Sequence, residues 1–98
     1  MRLSDAERRA IVETARRVFG PTVEVRLFGS RTRDDARGGD IDLYIEADPD
    51  RATLDNELRF ERELLARIGE QRVDIVLQPR GRPPGPFARI AAAESVPL

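Results

Sequence analysis

Apolar residues recur at helical spacing over the first twenty positions of the chain and alternate with polar residues directly afterwards. The helical set consists of Ala6, Ala10, Ile11, Ala15, Val18 and Phe19. Ser4 can cap this segment, with Glu7 at the capping-box position, and Gly20-Pro21 ends it. From Val23 to Phe28 the period falls to two, which predicts a strand after the helix.

Two later segments alternate in the same way. The first spans 40–46 and carries Ile41, Leu43 and Ile45 on one face, opposite Asp40, Asp42, Tyr44 and Glu46. The second spans 72–77 and carries Val73, Ile75 and Leu77 opposite Arg72, Asp74 and Val76. Between them, a helical period from about Arg51 to Ile68 predicts a long helix that Gly69 caps.

The last twenty residues begin with a segment, 79–86 (PRGRPPGP), that predicts a stiff connector. Phe87, Ile90 and Ala91 then indicate a short final helix, and Val96 and Leu98 are expected to dock beyond it. The order α-β-β-α-β-α predicts an α/β (α+β) fold with a small mixed sheet of three to four strands and helices on one face. We expect a single domain over residues 1–98.

Charge and composition restrict the possible partners. The formal net charge is −1 and aromatic residues make up 5% of the chain, so we expect no direct nucleic-acid partner. The charged N-terminal segment has no apolar signal region, and no apolar run reaches membrane-spanning length. We therefore expect a cytoplasmic protein without a membrane partner.

The chain contains no cysteine and no histidine. Disulfides, zinc sites built on those residues and Ser-His or Cys-His nucleophiles are excluded. Any catalysis must therefore use carboxylates, hydroxyls and an oxygen-binding cation such as Mg²⁺. All 17 basic residues are arginines, whose planar guanidinium suits bidentate contacts to phosphate, although genomic base composition explains the same bias.

Three aspartates are the strongest candidates for chemistry. Asp40 and Asp42 lie two residues apart on one strand face, with Cα atoms roughly 6.5–7 Å apart. Two like charges at one place are unfavourable unless a cation neutralises them. Asp74 leaves the polar face of a later strand, and a third carboxylate there would allow a pair of Mg²⁺ ions roughly 3.5–4 Å apart.

A phosphate-binding turn is predicted at Gly29-Ser30, where a strand ends and one helical turn can begin. Glycine allows close approach of the backbone, the first amides of a helical turn attract anions, and Ser30 adds a hydroxyl. Arg31 and Arg33 follow directly and can neutralise phosphate oxygens. Each feature alone is also typical of an ordinary turn or polar strand face, so their order along the chain carries the prediction.

Gly29-Ser30, nine further residues and then Asp40-Ile41-Asp42 resemble the signature of the DNA polymerase β-type nucleotidyltransferase superfamily. The block 27–46 (LFGSRTRDDARGGDIDLYIE) is similar to the minimal nucleotidyltransferases of prokaryotes, the MntA-type antitoxins, and the resemblance covers nearly the whole chain. It implies a bare polymerase β-like nucleotidyltransferase core. Relatives often carry glycine at the position of Asp34 and serine or a similar residue at the position of Gly39.

The resemblance also implies roles for the candidate residues. Asp40 and Asp42 would ligate both Mg²⁺ ions, Asp74 would ligate the catalytic ion and help deprotonate the acceptor, and the nucleotide would be bound by Gly29, Ser30, Arg31 and Arg33. Many relatives silence a HEPN-type ribonuclease toxin by moving AMP from ATP to a toxin tyrosine. The implied partners are therefore ATP and such a toxin in a hetero-oligomer. Neutralisation by contact alone and nucleotidylation of a small molecule are the alternatives.

Overall fold

The computed structural model describes residues 2–33 and 39–98. Within these two ranges the elements follow the order α1 (Asp5–Phe19), β1 (Glu24–Phe28), β2 (Ile41–Ala47), α2 (Leu54–Ile68), β3 (Val73–Pro79), α3 (Pro86–Ala93) and β4 (Val96–Pro97). A 3-10 turn, Gly29–Thr32, follows β1 directly. The predicted element order and α+β class are confirmed, with one short strand added at the end.

The four strands of the described chain form one mixed sheet in the order β3-β2-β1-β4. β1 pairs antiparallel with both β2 and β4, whereas β2 and β3 are parallel. α2 connects the two parallel strands, because a parallel pair needs a crossover rather than a tight turn. Leu98 also donates its backbone N–H to the Val25 carbonyl (3.0 Å), so the predicted docking of the final residues is confirmed.

The main core lies between α1, α2 and one face of the sheet. Ile11, Phe19, Phe60 and Leu64 of the two helices are buried against Leu27, Ile41, Leu43 and Ile45 of the strands. The rings of Phe19 and Phe60 approach to a centroid distance of 5.7 Å, which joins the helices at their apolar faces. The alternating apolar residues of β1 and β2 therefore face the core as the sequence pattern predicts.

The opposite face of the sheet is covered by α3, so the expectation that the helices lie on one face is wrong. Phe28 alternates with the buried Leu27 and points away from the core, where its ring lies 6.4 Å from that of Phe87 in α3. Tyr44, expected on a polar face, is only 6% exposed. Ala91 of α3 is buried, whereas Phe87 and Ile90 of the same helix remain largely exposed.

Several element ends differ from the sequence expectation. Asp40 precedes β2 and does not belong to it, and β3 continues through Pro79. α2 begins at Leu54 instead of near Arg51, because the Thr53 hydroxyl accepts the Asn56 backbone N–H (3.2 Å) and caps the helix there. The connector is shortened as well, since α3 begins at Pro86, a residue well suited to the first helical turn.

The start of α1 is confirmed in detail. The Ser4 hydroxyl accepts the Glu7 backbone N–H (3.0 Å), and the Glu7 carboxylate accepts the Ser4 backbone N–H (3.1 Å). This reciprocal box fixes the direction of α1 and of the residues before it. Across the described ranges, none of the helices combines the length and the apolar character that a membrane crossing requires.

Thr14 of α1 is fully buried, and its hydroxyl has no hydrogen-bond partner among the described residues. Thr14→Val keeps the shape of the side chain and removes the unpaired hydroxyl, so we expect the free energy of unfolding to rise by about 1 kcal/mol. Urea denaturation checks this value. Thr14→Ala is the control, because it also removes a methyl group and should gain less; a destabilised Val variant would contradict the prediction.

Candidate active site

Asp42 and Asp74 are direct neighbours on the parallel strands β2 and β3. The register pairs Asp42 with Asp74, and the preceding residues, Ile41 and Val73, are buried in the core. Because side chains alternate along a strand, both aspartates point to the face opposite the core. Packing of the apolar pair therefore holds the two carboxylates side by side on the outer face.

Asp40 joins this pair from the residue just before β2. The Ile41 backbone N–H donates to the Arg72 carbonyl (3.1 Å), which brings Asp40 level with Arg72. Arg72 Nε lies 3.3 Å from Asp40 Oδ2 and 3.7 Å from Asp74 Oδ2. The three predicted aspartates are thus brought together, with one guanidinium between two of them.

The clustering of negative charge contributes to a raised pKa of the Asp42 carboxyl. Partial burial raises the pKa of its carboxyl, and the charges of Asp74 and Asp40 and a hydrogen bond with Asp74 raise this pKa further. The nearby Arg72 charge acts in the opposite direction. The carboxylate of Asp42 therefore lies where a cation would relieve repulsion.

Gly29 brings the predicted phosphate-binding turn directly onto Asp42. Phe28, the last residue of β1, pairs with Asp42, so the turn begins beside this aspartate. Gly29 has φ +78°, and a Cβ at this position would collide with Asp42 Oδ2 and lie 3.1 Å from its Cγ. The position therefore needs glycine both for its backbone conformation and for space.

Ser30 lies in the same 3-10 turn and is packed against Gly39. A Cβ on Gly39, which has φ +94°, would collide with Ser30 Oγ. A serine therefore cannot replace Gly39 without moving Ser30 or the backbone. Asp34, the other departure from the relatives, lies outside the described residues.

The two arginines that follow Ser30 have different surroundings. Arg31 donates from Nε to the Gly39 carbonyl (3.2 Å) and from Nη1 to the Arg2 carbonyl (3.0 Å), so its guanidinium holds the backbone around the turn. Arg33 is exposed and lines an open groove of about 430 Å³ together with Gly29, Ser30, Thr32 and Glu94. Nucleotide binding by both arginines stays a prediction.

A family model described as a nucleotidyltransferase domain matches residues 8–98. The chain belongs to the nucleotidyltransferase domain family. The match runs from the first helix through the last strand, so it includes Gly29-Ser30 and all three aspartates. No curated protein and no solved structure matches the chain. The predicted family is confirmed, and its general chemistry is nucleotidyl transfer, while the MntA-type subgroup stays a prediction.

Members of this family generally use a nucleoside triphosphate and a divalent metal ion. Asp40, Asp42 and Asp74 of this nucleotidyltransferase offer the hard oxygen ligands that Mg²⁺ prefers, so their chemistry fits such an ion. Among the described residues, no three acidic side chains are already close enough to enclose a metal ion.

Three residues near the site of this nucleotidyltransferase were not singled out from the sequence. Arg72 has a recognisable signal, because it lies two residues before Asp74 and so shares the polar face of the third strand segment. Arg2 holds the turn by donating from Nη2 to the Ser30 carbonyl (3.1 Å), and Glu94 reaches the groove from the end of α3. These two are distant in sequence from the Gly-Ser motif, and no local pattern marks them.

Proposed function

We propose that this nucleotidyltransferase is a Mg²⁺-dependent antitoxin that transfers AMP from ATP to a tyrosine hydroxyl of a HEPN-type ribonuclease toxin. The proposal depends above all on the position of Asp40, Asp42 and Asp74 beside Gly29-Ser30 on one face of the sheet. The similarity of the block 27–46 to minimal nucleotidyltransferase antitoxins supports the choice of acceptor.

Exposed apolar side chains next to the site support a protein acceptor over a small molecule. Phe87 and Ile90 of α3 are 65% and 57% exposed, and α3 lies on the same face of the sheet as Asp42. Neighbouring apolar residues that remain exposed in this way are typical of protein contact surfaces. A toxin docked on α3 would hold its acceptor tyrosine close to the three aspartates.

Each candidate residue has a definite task in the proposed reaction. Ser30 and the amides of its turn bind the triphosphate, and Arg33 neutralises charge from the groove wall. Asp40, Asp42 and Asp74 would hold divalent metal, which neutralises the phosphate oxygens around the reacting phosphorus. The tyrosine oxygen forms a bond to the α-phosphorus, the bond to the bridging oxygen breaks, and pyrophosphate leaves. Asp74 accepts the proton of the tyrosine hydroxyl.

The experiment combines the protein, Mg²⁺ and the helical protein encoded by its neighbouring reading frame with ATP labelled at the α- or the γ-phosphate. We expect the neighbour to acquire the α-label and not the γ-label, because AMP transfer keeps only the α-phosphate. Asp74→Asn should abolish this labelling, and mass spectrometry should locate the AMP on a tyrosine. Transfer of the γ-label, or labelling that survives in Asp74→Asn, would contradict the proposal.

A second experiment separates catalysis from neutralisation by contact. The double variant Asp40→Ala/Asp42→Ala keeps α3 and the rest of the surface while removing two proposed metal ligands. When it is expressed at the normal level with the toxin, we expect growth to stop, because an unmodified toxin stays active. Full protection by this variant would show that binding alone neutralises the toxin.

A further inference from the structure

Arg72 is the positive group that contacts the aspartates of the candidate site. It stands immediately before β3, and its guanidinium Nε contacts one oxygen of Asp40 and one of Asp74, which belong to different strand segments. Its side chain is 75% exposed, so the contact is not enforced by burial. Burial therefore contributes little to the position of the guanidinium.

Arg72 contacts Asp40 and Asp74, two of the carboxylates that the proposed function assigns as metal ligands. Arg72 lies level with Asp40, and Asp42 lies level with Asp74, so one positive and three negative groups are neighbours on the sheet face. A divalent cation attracts the same oxygens more strongly than a monovalent guanidinium does. Both groups cannot make their closest contacts to these oxygens at the same time.

We propose that Arg72 is a positioning residue that bridges Asp40 and Asp74 in the metal-free protein and is displaced from them when the divalent cation binds. The inference rests on the proposed function, because it takes the three aspartates as metal ligands. In the free protein, the positive charge of Arg72 lowers the repulsion among the aspartates. It thereby weakens cation binding, since the cation must first displace the guanidinium.

Cation affinity tests this competition without any enzymatic assay. Mn²⁺ is titrated into the wild type and Arg72→Gln at low ionic strength, and free Mn²⁺ is measured by electron paramagnetic resonance. We expect Arg72→Gln to bind Mn²⁺ about three- to tenfold more tightly, with the difference shrinking as salt rises, because exposed charge contacts are modest and screened. Arg72→Lys, which keeps the charge, should give an intermediate affinity.

The matched control is Arg59→Gln, which removes the same charge from an exposed ion pair on α2. Arg59 contacts Glu63 at 2.7 Å, and Arg17 contacts the same carboxylate at 2.8 Å, so Glu63 keeps a partner in this variant. If the change of net charge alone strengthened binding, Arg59→Gln would bind Mn²⁺ as tightly as Arg72→Gln. We expect Arg59→Gln to bind as the wild type does.

Thermal unfolding provides a second test, in which the difference in melting temperature between the wild type and Arg72→Gln is compared with and without Mn²⁺. In EDTA we expect Arg72→Gln to melt below the wild type, because the aspartates lose their counter-charge. In saturating Mn²⁺ the difference should vanish or reverse, because the ion replaces the guanidinium and binds the variant more tightly. A residue that merely supports the fold would give the same difference in both buffers.

The possible results separate this inference from the proposed function. Wild-type binding of Mn²⁺ with an unchanged affinity in Arg72→Gln would overturn the role of Arg72 and leave the transfer reaction standing. Equal effects of Arg72→Gln and Arg59→Gln would overturn it in the same way. Absence of Mn²⁺ binding in both the wild type and Arg72→Gln would overturn both proposals.

Discussion

Asp42→Asn is expected to reduce nucleotidyl transfer by at least about a hundredfold while the protein remains folded. Asp42 lies at the centre of the site, beside Asp74 on β3 and against Gly29 of the turn. An amide keeps the size of the side chain but removes the negative charge that the proposed cation requires, and losing a metal ligand should cost more than losing one of its supporting contacts. Steady-state transfer of the α-label from ATP measures the effect.

The stability of Asp42→Asn distinguishes a catalytic defect from a folding defect. The pKa of Asp42 is raised, chiefly by burial, so the folded protein binds more protons than the unfolded chain just above the ordinary aspartate pKa. The contribution of this group to stability is consequently lost as pH rises through the folded pKa. At neutral pH in EDTA, the Asn variant should be at least as stable as the wild type. A variant that melts much earlier would contradict this account.

Gly29→Ala is expected to have the second-largest effect, combining instability with loss of metal binding. The residue has φ +78°, where an alanine is strained, and the added methyl group would displace the carboxylate of Asp42. We expect the free energy of unfolding to fall by about 1–3 kcal/mol. Urea denaturation measures the stability, and titration with Mn²⁺ measures the loss of affinity.

Gly81→Ala separates the two causes. Gly81 has a similar φ of +86°, but a Cβ there would meet nothing within 4 Å. It follows β3 at the end of the sheet away from Asp74, so its replacement should strain the backbone and leave Mn²⁺ affinity unchanged. If both alanine variants bound Mn²⁺ as the wild type does, the close packing of Gly29 on Asp42 would have no role in the site.

The features that the sequence predicted correctly depend on local periodicity. Alternation around Ile41 and Val73 places Asp42 and Asp74 on the same face once these strands lie side by side. The capping box at Ser4 and the turn at Gly29 are likewise short-range signals, and both occur in the structure where they were predicted. Such features depend on neighbours within a few residues along the chain.

The features that were missed depend on contacts between distant segments. Nothing near Phe87 in the sequence indicates that it will meet Phe28, so α3 was expected on the wrong face of the sheet. The roles of Arg31 and Arg2 around the turn require two segments about thirty residues apart to meet. Arg72 was visible as a polar residue, but its contacts became apparent only when the register of β2 and β3 was known.

The parallel alignment of β2 and β3 has a consequence for folding. Shifting β3 by one residue against β2 would send Asp74 into the hydrophobic interior and bring an apolar side chain out beside Asp42. A misaligned chain would thus lack one of the three proposed ligands and, on the proposed function, would bind divalent ions poorly. If the proposed metal site binds magnesium, the ion would favour the correctly aligned sheet over slipped alignments before any nucleotide is bound.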